Sequence, residues 1–118
     1  MNIEELRDYC LSKPAVAEEF PFGNDTLVFK VGGKIFLLAG LDDGQHFNAK
    51  CEPELAQDFR ERYSEVQPGY HMNKKHWNTV FMGGALSRKQ LCEMVDHSYE
   101  LVVKSLPKKL QSEIATEG

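Results

Sequence analysis

The sequence predicts an α+β fold, a two-layer domain in which a mainly antiparallel sheet carries helices on one face, in the order α-βββ-α-ββ-α. Two observations carry this. Between Leu27 and Lys50, three short runs rich in apolar residues are separated by Gly32-Gly33 and Asp42-Asp43-Gly44, the spacing of strands joined by tight turns. After Ser87 the apolar residues Leu91, Met94, Val95, Leu101 and Val102 instead keep a 3.6-residue beat, which marks a long amphipathic helix. Hairpin-length links make the strands antiparallel, and the sheet's apolar face must be covered by the helices.

Taken in order, Asn2 and Glu5 form a capping pair for a first helix, with Ile3, Leu6 and Cys10 on its apolar face. Pro14 stops it. Residues 15–23 are expected to be extended, and Pro21 limits any strand there to an edge. Leu27, Phe29 and Val31 then alternate with Val28 and Lys30. Gly32-Gly33 supplies the hairpin turn, and a return strand runs from Lys34 to Leu38 or a little beyond. A third strand spans Gln45 to Lys50, with Phe47 and Ala49 pointing one way and His46, Asn48 and Lys50 the other. Pro53 suits the first turn of a second helix, with Leu55, Phe59 and Tyr63 as its expected buried stripe. Val66 to Met72 should be extended around Pro68-Gly69, and Trp77 to Met82 form a further strand ended by Gly83-Gly84. Ser87 and Gln90 cap the long helix. Pro107 ends or kinks it, and a short tail with Leu110 and Ile114 follows.

The 118 residues are expected to form one domain, 1–118, around a single core. No apolar run approaches the roughly 20 residues of a membrane-spanning helix, and no secretory signal is read at the N-terminus. A cytoplasmic location is expected, with no membrane partner. Cys10, Cys51 and Cys92 are odd in number and widely spaced, so they are expected to be reduced, packed thiols. The net charge of −4 is uneven: residues 1–65 hold 13 acids and 7 bases, whereas residues 66–118 hold 5 acids and 7 bases. Any anion-binding surface must therefore come mainly from the second half.

That half holds the densest concentration of chemistry, Pro68-Gly69-Tyr70-His71-Met72-Asn73-Lys74-Lys75-His76-Trp77. Lys74 and Lys75 could meet phosphates, while Tyr70, His71 and Asn73 add hydrogen bonds. Trp77, a large aromatic, is expected in the core. If exposed, it or Tyr70 could stack on an unpaired base. The same segment also reads as a plain turn with a solvated lysine tip. Lys104, Lys108 and Lys109 bracket the end of the long helix, where cations complement its dipole and could extend a basic strip. Phe20-Pro21-Phe22-Gly23 is read as an aromatic plug with a turn. No metal site is expected, since His71 and His76 are five residues apart with no Cys or acid between them. No cofactor is expected, and no catalytic motif is recognisable: His97 and Ser98 are helix neighbours splayed by about 100°.

Four segments, Phe20-Pro21-Phe22-Gly23, Val28 to Val31 with Gly33-Lys34, Pro68 to Trp77, and Ser98 to Val102 leading into Leu106-Pro107-Lys108-Lys109, resemble the MmcQ/YjbR family of small bacterial proteins over nearly the whole length. The resemblance implies a frataxin-like α+β fold with a proposed double-wing mode of DNA binding. The expectation is thus a non-enzymatic module with a weak, backbone-dominated contact to DNA. Its candidate residues are Tyr70, His71, Asn73, Lys74, Lys75, His76, Trp77, Lys108 and Lys109. Two alternatives stay open: a small-molecule or phospho-ligand pocket built from the same motif, and a protein-interaction adaptor using a sheet face or edge. The oligomeric state is not specified by the sequence.

Overall fold

The computed structural model describes residues 1–69 and 72–117, and its elements are α1 (Ile3–Leu11), β1 (Val16–Glu19), β2 (Thr26–Val31), β3 (Lys34–Gly40), β4 (His46–Lys50), α2 (Pro53–Arg62), β5 (Val66–Pro68), β6 (Trp77–Phe81), α3 (Arg88–Ser105) and α4 (Lys108–Glu117). The strands form one antiparallel sheet in the order β1-β2-β3-β4-β6-β5. The α+β expectation holds, with two additions. The extended segment after Pro14 becomes a real edge strand through pairing of Val16 to Glu19 with Val31 to Val28. The short tail is a regular helix.

The β2–β3 turn forms as the glycines require. Gly32 and Gly33 have φ of 59° and 80°, a region side chains avoid and a right-twisted hairpin needs. Gly32 has a second reason to lack a side chain, because a Cβ there would stand 2.5 Å from the Leu106 side chain. This contact presses the α3–α4 corner onto the hairpin. A bulge between Phe29 and Lys30 breaks the alternation in β3, so Phe36 and Leu37 both face the core and both are fully buried. Phe36 meets the Tyr99 ring of α3 edge-on at 5.4 Å.

All the helices lie on that face. Leu6 and Cys10 of α1, Leu91, Met94, Val95 and Val102 of α3, and Ile114 of α4 join Leu27, Phe29, Phe47, Ala49, Val66 and Val80 in one cluster. The α1–α3 contact is also polar, since Tyr9 Oη and Lys13 Nζ donate to the same Asp96 oxygen at 2.6 and 2.5 Å. Both sequence-predicted helix caps are confirmed: Asn2 accepts from the Glu5 amide at 2.9 Å, and Ser87 with Gln90 forms a reciprocal box.

Three local expectations are corrected. On α2 the fully buried residue is Ala56, and Phe59 and Tyr63 pack on the cluster without Leu55; the helix is rotated so that a small residue lies under its closest approach. Phe20 and Phe22 are 49% and 65% exposed, so they plug nothing and project from the β1–β2 loop. Only Lys104 occupies the last turn of α3, whereas Lys108 and Lys109 begin α4. Those two therefore stand at the positive end of a helix dipole rather than offsetting a negative one.

Candidate functional site

At one end of the sheet, β2 and β5 stop, β3 and β6 start, and β4 runs out at Lys50. Gly69 and residues 72–77 of the motif lie at this end. Asn73 organises it: Oδ1 accepts from the Lys75 amide at 2.9 Å, and its carbonyl accepts from the His76 and Trp77 amides at 3.2 and 3.0 Å. This is an Asx-type turn, made by a side chain that substitutes for backbone. Gly69 closes its base, its N–H donating to the Trp77 carbonyl at 2.8 Å. Pro68 pairs with Asn78.

The predicted site residues do not act alike within this turn. Lys74 points back into it, with Nζ donating to the Gly69 carbonyl at 3.1 Å. Lys75 is exposed, and among the described residues no carboxylate pairs with it. The His76 carbonyl accepts from the Cys51 amide at 2.7 Å, which fastens the turn to the β4–α2 junction. Trp77 is half-buried and paired with Lys50. It sits on the sheet face opposite the helices, so the core position expected for it is wrong: the inward residues of β6 are Asn78 and Val80. Tyr70 and His71 lie outside the described residues, as does any pairing of His71 with His76. Lys108 and Lys109 are exposed on α4.

Arg60 of α2 holds the turn in place, and the sequence reading missed it. Its Nε donates to Asn78 Oδ1 at 2.7 Å, and its Nη2 donates to the Trp77 carbonyl at 3.1 Å and to the Lys74 carbonyl. Asn78, 3% exposed, in turn donates to the Ala56 carbonyl. The signal that points to Arg60 is its spacing of four from Ala56, which puts both on one face of α2.

The same end of the sheet gathers further cations. Lys50 ends β4. Lys34 starts β3 and reaches Ser105 Oγ at 3.5 Å. Lys104, Lys108 and Lys109 flank Leu106, which packs on Gly32. Among the described residues none of these lysines has a carboxylate partner, whereas Arg7, Lys13, Lys30, Arg62 and Arg88 all do. The opposite end of the outer face is acidic. There Asp42, Asp43, His46, Asn48 and Thr79 help line a groove of about 410 Å³, and His46, Thr79, Phe81, Gln67 and Glu65 help line another of about 350 Å³. Neither groove includes a described residue of the 69–77 turn. The Asp43 carboxyl is held below the usual range, first by the Gln45 amide at 2.9 Å and then by His46 Nδ1 at 2.7 Å.

The nucleophile candidates are engaged elsewhere. Ser98 Oγ, fully buried, accepts from the Lys50 amide at 2.8 Å and donates to the Phe36 carbonyl. His97 Nε2 accepts from the Glu52 amide at 3.1 Å rather than facing Ser98. Burial pushes the Cys10 and Cys51 thiols up to about 12, and all three cysteines are free. Among the described residues no three of His, Cys, Asp and Glu converge as metal ligands, and no helix is long and apolar enough to cross a membrane.

The YjbR family profile matches residues 11–101. The chain is 38% identical over 112 residues to the Escherichia coli O157:H7 protein YbdF, covering 94% of this chain and 92% of that one. It is 34% identical over 110 residues to YjbR of Escherichia coli strain K12, covering 92% and 93%. Among solved structures, Deinococcus radiodurans protein DR2400 superposes with a TM-score of 0.89 at 35% identity, over 96% of this chain and 87% of that one. A Pseudomonas syringae protein superposes with a TM-score of 0.72 at 28% identity, over 86% and 98%.

Proposed function

The chain belongs to the YjbR family, and we propose that it is a non-catalytic, cytoplasmic module that binds a nucleic-acid backbone at the cationic end of its sheet. One observation carries the reading. In a chain with a net charge of −4, six lysines at this end (Lys34, Lys50, Lys75, Lys104, Lys108 and Lys109) have no carboxylate partner among the described residues, whereas Arg7, Lys13, Lys30, Arg62 and Arg88 each have one. Unpaired ammonium groups on a shared end create a local positive field despite the overall sign. The β2–β3 and β5–β6 hairpins bracket this end, which is the arrangement a pair of wings would need. A non-catalytic role is supported by Ser98, His97 and the buried thiols, whose reactive atoms serve packing and backbone hydrogen bonds.

The test is the salt dependence of binding to a short DNA duplex, read by fluorescence anisotropy. Lys75→Ala should weaken binding and reduce the slope of log K against log salt by about 0.9. Lys74→Ala should change the slope less, because its ammonium is turned onto the Gly69 carbonyl. Binding that is insensitive to salt, or no binding at low salt, contradicts the reading.

A further inference from the structure

We propose that the outer face of β4 and β6 is a seat for one unpaired nucleobase, with the Trp77 indole as its stacking surface. The inference rests on the nucleic-acid reading and narrows the ligand to single-stranded or locally unpaired nucleic acid.

Strand alternation places Trp77 and Thr79 of β6 and Asn48 and Lys50 of β4 on the face away from the helices. The register sets Lys50 opposite Trp77 and Asn48 opposite Thr79. Side chains directly opposite on an antiparallel pair stand about 5 Å apart, and the next same-face rung lies about 7 Å along the strand. A base lying on the indole is therefore within reach of both the Lys50 ammonium and the Asn48 carboxamide.

The Asn48 side chain has a fixed polarity. Thr79 Oγ1 donates to Asn48 Oδ1 at 2.5 Å, which leaves the Nδ2 amide as the donor the carboxamide can offer. An amide donor suits a carbonyl oxygen on a base edge. Lys50, across from the indole, and Lys75, two residues ahead of it, can each meet a phosphate flanking the stacked nucleotide. Beyond Asn48 the face turns acidic at Asp42 and Asp43, which repels a backbone and confines the strand to the lysine end. A closed duplex offers no free base face to the indole, so this seat separates unpaired from paired nucleic acid.

Trp77 is the only tryptophan in the chain, so intrinsic emission reports on this position alone. The full chain is titrated with an oligothymidylate of about ten nucleotides, with an abasic backbone of equal length, and with a duplex. The expected result is quenching by the oligothymidylate only, with the abasic strand binding about ten-fold more weakly. Trp77→Leu should lose the same factor for oligothymidylate, and Asn48→Ala should weaken oligothymidylate with the indole intact. Should Trp77→Leu fail to fold, the abasic comparison and Asn48→Ala decide alone. Equal binding of abasic and base-bearing strands, with unaltered emission, overturns the base seat and leaves the backbone reading standing. Failure of every nucleic acid to bind overturns both. Emission that changes with protein concentration alone, together with a dimer mass, assigns the face to a second copy and overturns the seat.

Discussion

Replacing Arg60 with alanine removes three donors from the turn at once, and the structure sets a different cost for each. The Lys74 carbonyl is in an exposed turn, where water takes over the vacated site. The Trp77 carbonyl keeps the Gly69 amide at 2.8 Å. Asn78 Oδ1 has no such replacement, because Asn78 is 3% exposed and Arg60 is its donor at 2.7 Å. Stripping a buried acceptor costs about 1–3 kcal/mol, and loss of the packed arginine stem adds to it, so the expected destabilisation is about 2–3 kcal/mol. With a urea dependence of about 1.5 kcal/mol per molar, the unfolding midpoint should fall by about 1.3–2 M. Urea titration read by Trp77 emission and by far-UV circular dichroism measures this, and coincident curves license the two-state treatment. A paired variant sharpens the test. Arg60→Ala combined with Asn78→Ala should cost less than the sum of the single changes by at least about 1 kcal/mol, since removing the acceptor cancels its stranded state. A single-variant loss below about 0.5 kcal/mol, or strict additivity in the pair, would refute the clasp.

Two further outcomes are expected. Ser98→Ala deprives the buried Phe36 carbonyl of a donor and the Lys50 amide of an acceptor; the cost is about 2 kcal/mol, seen in calorimetry as a fall in Tm of about 5–10 °C, and a shift under about 2 °C would show that the bridge is not structural. His97 titrates below its ordinary value of 6.5, first because burial disfavours its charged form, and its Nε2 must stay unprotonated to accept from the Glu52 amide. The unfolded chain therefore binds the proton more readily, so the His97 contribution is present above pH 6.5 and is lost as pH falls through the lower folded value. His97→Gln, which keeps an acceptor without the titration, should flatten that part of a stability-against-pH curve; an unchanged curve would rule the assignment out.

The meander from Thr26 to Lys50 was legible because its signals are local: alternation, two glycines at positive φ, and an Asp-Asp-Gly turn. Both predicted helix caps were legible for the same reason. β1 was read only as an extended segment, since Val16 to Glu19 is a strand by virtue of β2 beside it rather than by its own composition. Leu55 stands in the expected α2 stripe because hydrophobicity outweighs size in a sequence pattern, whereas close packing puts the smaller Ala56 inside. Trp77 misled in a similar way. Its bulk argued for the core, yet its odd spacing from Val80 already placed the two on opposite faces. The motif's composition pointed to the right end of the sheet but hid how it is built, because Lys74 and Asn73 hydrogen-bond within the turn. The lysines around that end come from four stretches of the chain, Lys34, Lys50, Lys75 and Lys104 to Lys109, and only the strand order and the packing of Leu106 on Gly32 bring them together.

The strand order also settles how this sheet treats its margins. One border is β1, four residues long and bearing Glu18 and Glu19; the other is β5, three residues long and closed by Pro68. Short, charged or proline-blocked borders present a poor template for another chain's backbone. Strand-by-strand polymerisation, and the aggregation it leads to, is thereby disfavoured, and visitors are directed to the broad surface and the lysine-bearing rim.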